Sequence, residues 1–236
     1  CQGAIVSEMK YVGGDIWCVR SAFETFDEDD ASNNLLRCGE IQGDVVVRDS
    51  VFGDKLTFED SDIHGRFIFK QTTVRGNWVD LTRCSVDAGE IGQPETGFVM
   101  YDFTDATVGD IRLLDTPGNG FERLKFENTT FDGFDFGRHR LLLTESNWAI
   151  HTTTDHPQID RTQSSPFTRF KNRLDTTRQS LGWFFGSIIG RTDTRLAELL
   201  VNEVTYLKAK NGAIQNGDNK AGAEFFKKEL TYRRKS

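Results

Sequence analysis

A chain of 236 residues that is 37% hydrophobic and 28% charged has the composition of a folded globular protein, not of a disordered one. No run of 18 or more apolar residues occurs, the longest candidate being the ten-residue stretch Leu181–Gly190, so a spanning helix is excluded. The net charge of −7 hides a split, because residues 1–140 carry −12 and residues 141–236 carry +5, an acidic body joined to a basic end.

From the N-terminus the chain shows a recurring unit of apolar-x-Gly-polar-apolar-x-apolar followed by about four polar or small residues. It is first read at Val12-Gly13-Gly14-Asp15-Ile16-Trp17-Cys18 and again at Ile41-Gln42-Gly43-Asp44-Val45-Val46-Val47. Val51-Phe52-Gly53 continues it, stretched to Leu56 and Phe58. Ile63-His64-Gly65-Arg66-Phe67-Ile68-Phe69 is an undistorted copy, and Val74-Arg75-Gly76-Asn77-Trp78 keeps the first half. The pattern fades at Val86–Ile91, returns at Gly109-Asp110-Ile111-Arg112-Leu113 and ends at Phe131-Asp132-Gly133-Phe134-Asp135-Phe136.

Within each unit the apolar residues alternate with period two, the signature of short strands with one inward face. Antiparallel hairpins of this length would carry Asn-Gly or Asp-Gly tips, whereas here Gly precedes the strand. The pattern therefore predicts a right-handed parallel β-helix over residues 1–137, in which two units of about eleven residues complete a coil of about 22. Equivalent side chains then stack about 4.8 Å apart. Gly stands at the corner, where a side chain would clash or where positive φ is required. The open ends of such a stack need covering, either by the helical tail and residues 1–10 or by end-to-end pairing of two copies.

The segments Ser50-Val51-Phe52-Gly53-Asp54, Thr72-Thr73-Val74-Arg75-Gly76-Asn77 and Thr129-Thr130-Phe131-Asp132-Gly133 resemble the pentapeptide-repeat family in its degenerate form, A-T-F-x-G-D-x-x-F. The likeness covers residues 38–90 and, more loosely, 100–137. Strict five-residue A-[DN]-L-x-x runs are absent, which leaves the regular four-sided cross-section open. The resemblance implies a right-handed quadrilateral β-helix without a general catalytic centre.

Residues 138–166 read as a polar connector and residues 167–236 as a helical tail. Leu196, Leu199, Leu200, Val204 and Leu207 fall at helical spacing, with Glu198, Glu203 and Lys208 on other faces. Gly217 and Asp218 form a stop and an N-cap, and Ala221, Phe225 and Leu230 lie on the inward face of a second helix. The hairpin over about 194–234 resembles a single tetratricopeptide-type unit. It also resembles the tail that follows the repeats of haloarchaeal pentapeptide-repeat proteins, several of which continue into membrane-spanning helices. That second likeness implies a longer chain, and the start at Cys1 without Met or secretory signal suggests a processed product or a fragment.

Catalytic chemistry finds little support in the residues. His151 and His156 flank Asp155 in the connector, but a metal site needs a third converging ligand. The four cysteines show no close spacing, so neither a metal knuckle nor a disulfide framework is expected and a reducing compartment fits. His64 is expected at the surface. No nucleophile elbow, phosphate loop or basic stripe across the solenoid is present, so neither a cofactor nor direct nucleic-acid binding is expected. The reading is a non-enzymatic scaffold that offers an acidic solenoid to a protein partner on the cytoplasmic side. Lys227, Lys228, Arg233, Arg234 and Lys235 are the candidates for touching an anionic membrane surface. The alternative is a DNA mimic that occupies the nucleic-acid groove of an enzyme such as a type II topoisomerase.

Overall fold

A computed structural model of the protein describes residues 6–23, 34–53, 56–114, 120–150 and 194–235. The described residues from Val6 to Phe131 are mainly parallel β-structure wound as a solenoid of about 4 turns, followed by C-terminal helices that pack together. Four rows of parallel pairing run along it. The first joins the start of β4 (Asn34–Ile41) to β7 (Leu56–Thr57), β10 (Trp78–Asp80), β12 (Met100–Asp102) and β14 (Leu124–Lys125). The second begins with β1 (Val6–Val12) against β4. It continues through the first parts of β8 (Asp62–Lys70), β11 (Ser85–Ile91) and β13 (Thr107–Leu113) to β15 (Thr130–Phe131).

The third row joins β2 (Ile16–Val19) and β5 (Val45–Arg48) to the second parts of β8, β11 and β13. The fourth holds β3 (Ala22–Phe23), β6 (Val51–Phe52) and β9 (Thr73–Val74).

The register reproduces the sequence period. Val45 lies against Phe67 and Phe67 against Gly89, steps of 22, while Ile63 lies against Val86, a step of 23. The first step, Ile16 to Val45, is 29, and the excess falls between Phe23 and Asn34. Inward positions stack into buried ladders: Val47–Phe69–Ile91–Leu113, Ile41–Ile63–Val86–Val108–Phe131, Leu56–Val79–Tyr101–Leu124 and Phe58–Leu81–Phe103–Phe126. Ile16, at the first coil, is half-buried, as is Trp78, which pairs with Met100. The ladders are the core, and no single coil could bury its apolar face alone.

The repeat glycines act through close approach. A Cβ on Gly43 would lie 2.4 Å from the carbonyl carbon of Gly14; on Gly65, 2.1 Å from Gly43 O; on Gly109, 1.9 Å from Asp87 O. Gly14 begins the column and has nothing within 4 Å. Gly53 and exposed Gly76 belong to a different corner, and Gly133 alone among the repeat glycines has positive φ, +99°.

Left-handed backbone instead falls to ordinary residues at two corners. Asp60, Arg83, Asp105 and Asn128 form one column with φ from 54° to 61°, and Arg20, Asp49 and Gln71 the other with φ from 47° to 51°. Each such residue costs about 1–2 kcal/mol of local strain, offset along the first column by contacts between coils. Arg83 Nε donates to Asp60 Oδ1 at 2.6 Å and Asn128 Nδ2 to Asp105 Oδ1 at 2.6 Å.

The residue after each left-handed corner is small or hydroxyl-bearing and turns inward: Ser50, Ser61, Thr72, Cys84, Ala106 and Thr129, all buried. Thr72 Oγ1 donates to Lys70 O at 2.9 Å, and Thr129 Oγ1 to Phe103 O at 2.6 Å. Two residues on comes the large inward side chain, so the physical repeat is small-x-large. At Val86–Ala88 the register shifts and one residue opposes two of β8. Gly89 stands at an inward position where the neighbouring coils have Phe67 and Ile111, which is why the pattern fades in the sequence there.

Among the described residues three helices follow: α1 (Arg140–Glu145), α2 (Thr194–Gln215) and α3 (Asn219–Arg233). The short α1 interrupts the expected connector, and Leu143, Trp148 and Ile150 beside it are buried. The remainder of the connector, His151, His156 and the run Leu181–Gly190 lie outside the described residues. Gly217 closes α2 with φ +79°, and Asp218 caps α3 by accepting from Ala221 N at 3.0 Å.

Leu200 and Val204, which fall at helical spacing in α2, are 45% and 39% exposed, and Leu207 is half-buried. The surface α2 covers is the open end of a parallel sheet, which presents peptide groups rather than apolar side chains. Polar and small residues are therefore turned toward it. Thr205 Oγ1 accepts from Asn128 N at 3.1 Å, Lys208 Nζ donates to Asn128 O at 2.8 Å, and Asn216 Nδ2 donates to Phe134 O at 2.9 Å. Gly212 lets α2 approach Phe131, where a Cβ would lie 2.7 Å from the Phe131 carbonyl oxygen. In α3, Ala221 and Phe225 are buried as expected, together with Glu229, while Leu230 is half-buried.

Candidate functional site

With the interior filled, chemistry available to a ligand lies on the outward rows. On the third row, stacking sets residues far apart in sequence side by side. Arg48 neighbours Lys70, Arg66 neighbours Ala88, Ala88 neighbours Asp110, and Glu90 neighbours Arg112. The sequence contains no basic run there, yet Arg48, Arg66, Lys70 and Arg112 share one face.

A recess of about 520 Å³ opens on this face. Ala88 and Gly89 form its floor, and Arg66, Arg112 and Arg138 stand around it with Glu90 and Asp110. The floor is low because the coil of β11 has Ala where adjacent coils have Arg66 and Asp110. Arg66 Nη2 lies 3.3 Å from Glu90 Oε1, and Arg138 Nη1 donates to Asp110 Oδ1 at 2.7 Å. Lys70, hydrogen-bonded to Glu90, holds that carboxyl below its ordinary range despite partial burial, and Arg66 and Arg112 act in the same sense.

On the first row, Thr57, Asp80, Asp102 and Lys125 point away from the ladders yet are buried. Lys125 Nζ lies 3.0 Å from Asp102 Oδ2 and 3.2 Å from Glu127 Oε2. Burial pulls the Lys125 ammonium down, but the two carboxylates outweigh it and the net shift is upward. Asp80 and Asp102 each accept from the hydroxyl and amide of a threonine two residues on, Thr82 and Thr104. A charge cluster satisfied in this way is a structural element, since Asp80, Asp102 and Lys125 each already have a partner, whereas the buried hydroxyl of Thr57 has none.

His64 is exposed between two carboxylates of adjacent coils, 3.7 Å from Glu40 and 3.6 Å from Asp87. Among the described residues no group of three or more ligating side chains is arranged to hold a metal ion. Buried Cys84 donates to Phe58 O at 2.7 Å, and burial pushes its thiol above the ordinary range.

His139 is buried where the solenoid ends, packed on Phe121 and Phe134. Its Nε2 lies 3.3 Å from Ile111 O and 3.5 Å from Leu113 N, groups a further coil would have paired. Burial lowers its pKa below the ordinary value, opposed by the hydrogen bond to Ile111 O; Arg138 lowers it further while Asp135 and Asp110 raise it. The unfolded chain therefore binds a proton at about pH 6.5 while the folded chain still resists one. The stability contributed by neutral His139 is full above about pH 6.5 and is lost as pH falls through the folded value. Thermal melts from pH 7.5 to 5.0 should show a steeper acid-side loss for the native protein than for His139→Gln. Equal slopes would remove His139 as the cause.

Of the basic residues near the C-terminus, Arg233 is engaged by Glu203 at 2.8 Å and by Glu229 at 2.6 Å, and Lys227 by Glu224 at 2.7 Å. Arg234 and Lys235 are exposed, and Lys228 is half-buried. None of the described helices is long and apolar enough to cross a membrane.

The coils, their flat outward rows and the docked hairpin define a parallel β-solenoid with a helical cap. Comparison of the chain with known protein families, with curated proteins and with solved structures finds no match.

Proposed function

We propose that the protein is a non-enzymatic scaffold of the degenerate pentapeptide-repeat type, whose solenoid sides bind a protein partner and whose basic C-terminal residues contact an anionic membrane surface. The small-x-large unit supports the family reading, because it recurs at Ser50-Val51-Phe52, Thr72-Thr73-Val74 and Thr129-Thr130-Phe131, the segments that carry the resemblance. Four pairing rows, the fourth of them confined to β3, β6 and β9, also suit a quadrilateral rod with coils of 22–23 residues. The observation that carries the scaffold reading is the continuous filling of the interior by Phe, Tyr, Leu, Ile and Val ladders, which leaves flat sides and a shallow recess as the accessible chemistry.

The membrane part rests on the exposed Arg234 and Lys235, with Lys227 and Lys228 beside them. A DNA mimic needs an unbroken acidic surface. Here the acidic corners are interleaved with Arg66, Arg83 and Arg138 in ion pairs, which favours a protein partner over a polyanion-binding groove. Flotation with vesicles should show the full chain bound to phosphatidylglycerol-containing bilayers at low salt, not to neutral ones. Binding should weaken steeply when Arg234 and Lys235 are both changed to Gln. Absence of binding to anionic vesicles at low salt would dismiss the membrane contact.

A further inference from the structure

We propose that the recess over Ala88 and Gly89 is an oxyanion site, which receives a carboxylate or phosphate group displayed by the partner protein and held between Arg112, Arg66 and Arg138. This rests on the reading of the solenoid as a protein-binding surface and names the chemistry that one of its faces recognises.

Three features carry it. The first is the residue type, since three guanidiniums and no lysine line the recess, and the guanidinium fork matches a planar carboxylate or a phosphate edge. The second is the incomplete use of their donors. Arg66 gives Nη2 to Glu90, Arg138 gives Nη1 to Asp110 with Nε 3.6 Å from Asp135, and a guanidinium has five N–H groups. The recess itself holds three cations against Glu90 and Asp110, an excess of positive charge on a body whose overall charge is strongly negative.

The third feature is shape. Outward positions in this column hold Asp44, Arg66 and Asp110 on other coils, and the coil of β11 supplies Ala88 instead. A side chain of ordinary length at that position would fill the notch. The short Ala88 side chain thus lowers the floor at the point where arginines of three segments surround it. A strongly acidic body would repel an acidic partner generally, so a local cationic recess fixes where such a partner's charged group can land.

The test uses the full chain with backbone amides followed by NMR during titration with inorganic phosphate and, separately, acetate. Saturable shifts are expected at Ala88, Gly89 and Arg112. Half-saturation should rise about ten-fold or more in Arg112→Gln, as for loss of one charge-assisted hydrogen bond, and likewise in Ala88→Leu, which fills the notch. Both changes are on the outward face, and unaltered spectra elsewhere would show the fold intact. A markedly stronger response to phosphate assigns a phosphorylated side chain, and a comparable response to acetate assigns a carboxylate. Shifts that stay linear with both anions, or that persist unchanged in the two variants, overturn the site. That result would leave the scaffold reading standing, because the acidic corners and the remaining rows are untouched by it.

Discussion

Gly65→Ala should cost about 3 kcal/mol and lower the melting temperature by about 6–12 °C, while Gly14→Ala should stay within about 0.5 kcal/mol. The two residues occupy the same column, two coils apart, and their sequence contexts are alike. A Cβ at position 65 would lie 2.1 Å from Gly43 O and 2.3 Å from Gly43 C, atoms of the backbone of the preceding coil. No rotamer change relieves such a contact. The coil must shift, and the ladder hydrogen bonds on both sides of the corner shift with it. At position 14 nothing lies within 4 Å. Urea or thermal denaturation of the two variants decides the matter. Equal losses would mean that glycine serves this corner through chain flexibility and not through proximity.

The second large effect is expected at the cap. Phe225 is fully buried, with ring centroids 4.7 Å from Phe136, 5.5 Å from Trp148 and 6.3 Å from Tyr206. It joins the last coil, the segment after α1 and both long helices. Truncation to Ala removes the ring from a site that backbone and helices cannot easily collapse into, at a cost of about 3–5 kcal/mol. The loss should be local, because each coil depends chiefly on its neighbours.

Hydrogen exchange should therefore accelerate in Phe225→Ala at the amides of Asn128 and Ile150, which donate to Thr205 Oγ1 and to the Tyr206 hydroxyl. The amide of Val86, deep in the stack, should keep its protection. A uniform loss through the solenoid would show the cap and coils to be one cooperative unit. Arg140, whose Nη2 lies 3.1 Å from both carboxylate oxygens of Asp218, clamps the same junction beside the α3 cap.

The parallel solenoid, its coil length and the Gly217–Asp218 joint of the hairpin could be read from the residues, because period-two alternation and capping chemistry are local. Features set by contact between coils could not. Asp60, Arg83 and Asn128 adopt left-handed backbone without a glycine to announce it, and their compensation comes from residues about 22 positions away. Gly89 stands inward where the neighbouring coils have Phe67 and Ile111, and that glycine hid the inward row there. Helical spacing groups Leu200 and Val204 with the other apolar residues of α2, and such a stripe faces inward when the partner surface is apolar. Here it is a sheet end made of peptide groups.

The recess escaped for a related reason. Arg66, Arg112 and Arg138 are 46 and 26 residues apart, and only the winding of the chain brings them together.

The regular step between coils has a consequence for how such a chain can change over time. Duplicating one 22-residue turn in the middle of the stack would lengthen the rod by about 4.8 Å and leave the first coil and the Gly212–Phe131 fit of the cap untouched. Insertions of other lengths would throw every ladder beyond them out of phase, unless they fall between strands, as the seven-residue excess between Phe23 and Asn34 does. Length is thus inherited in whole turns. Reach, measured from the capped end, is the quantity this architecture can adjust without redesigning either terminus of the stack.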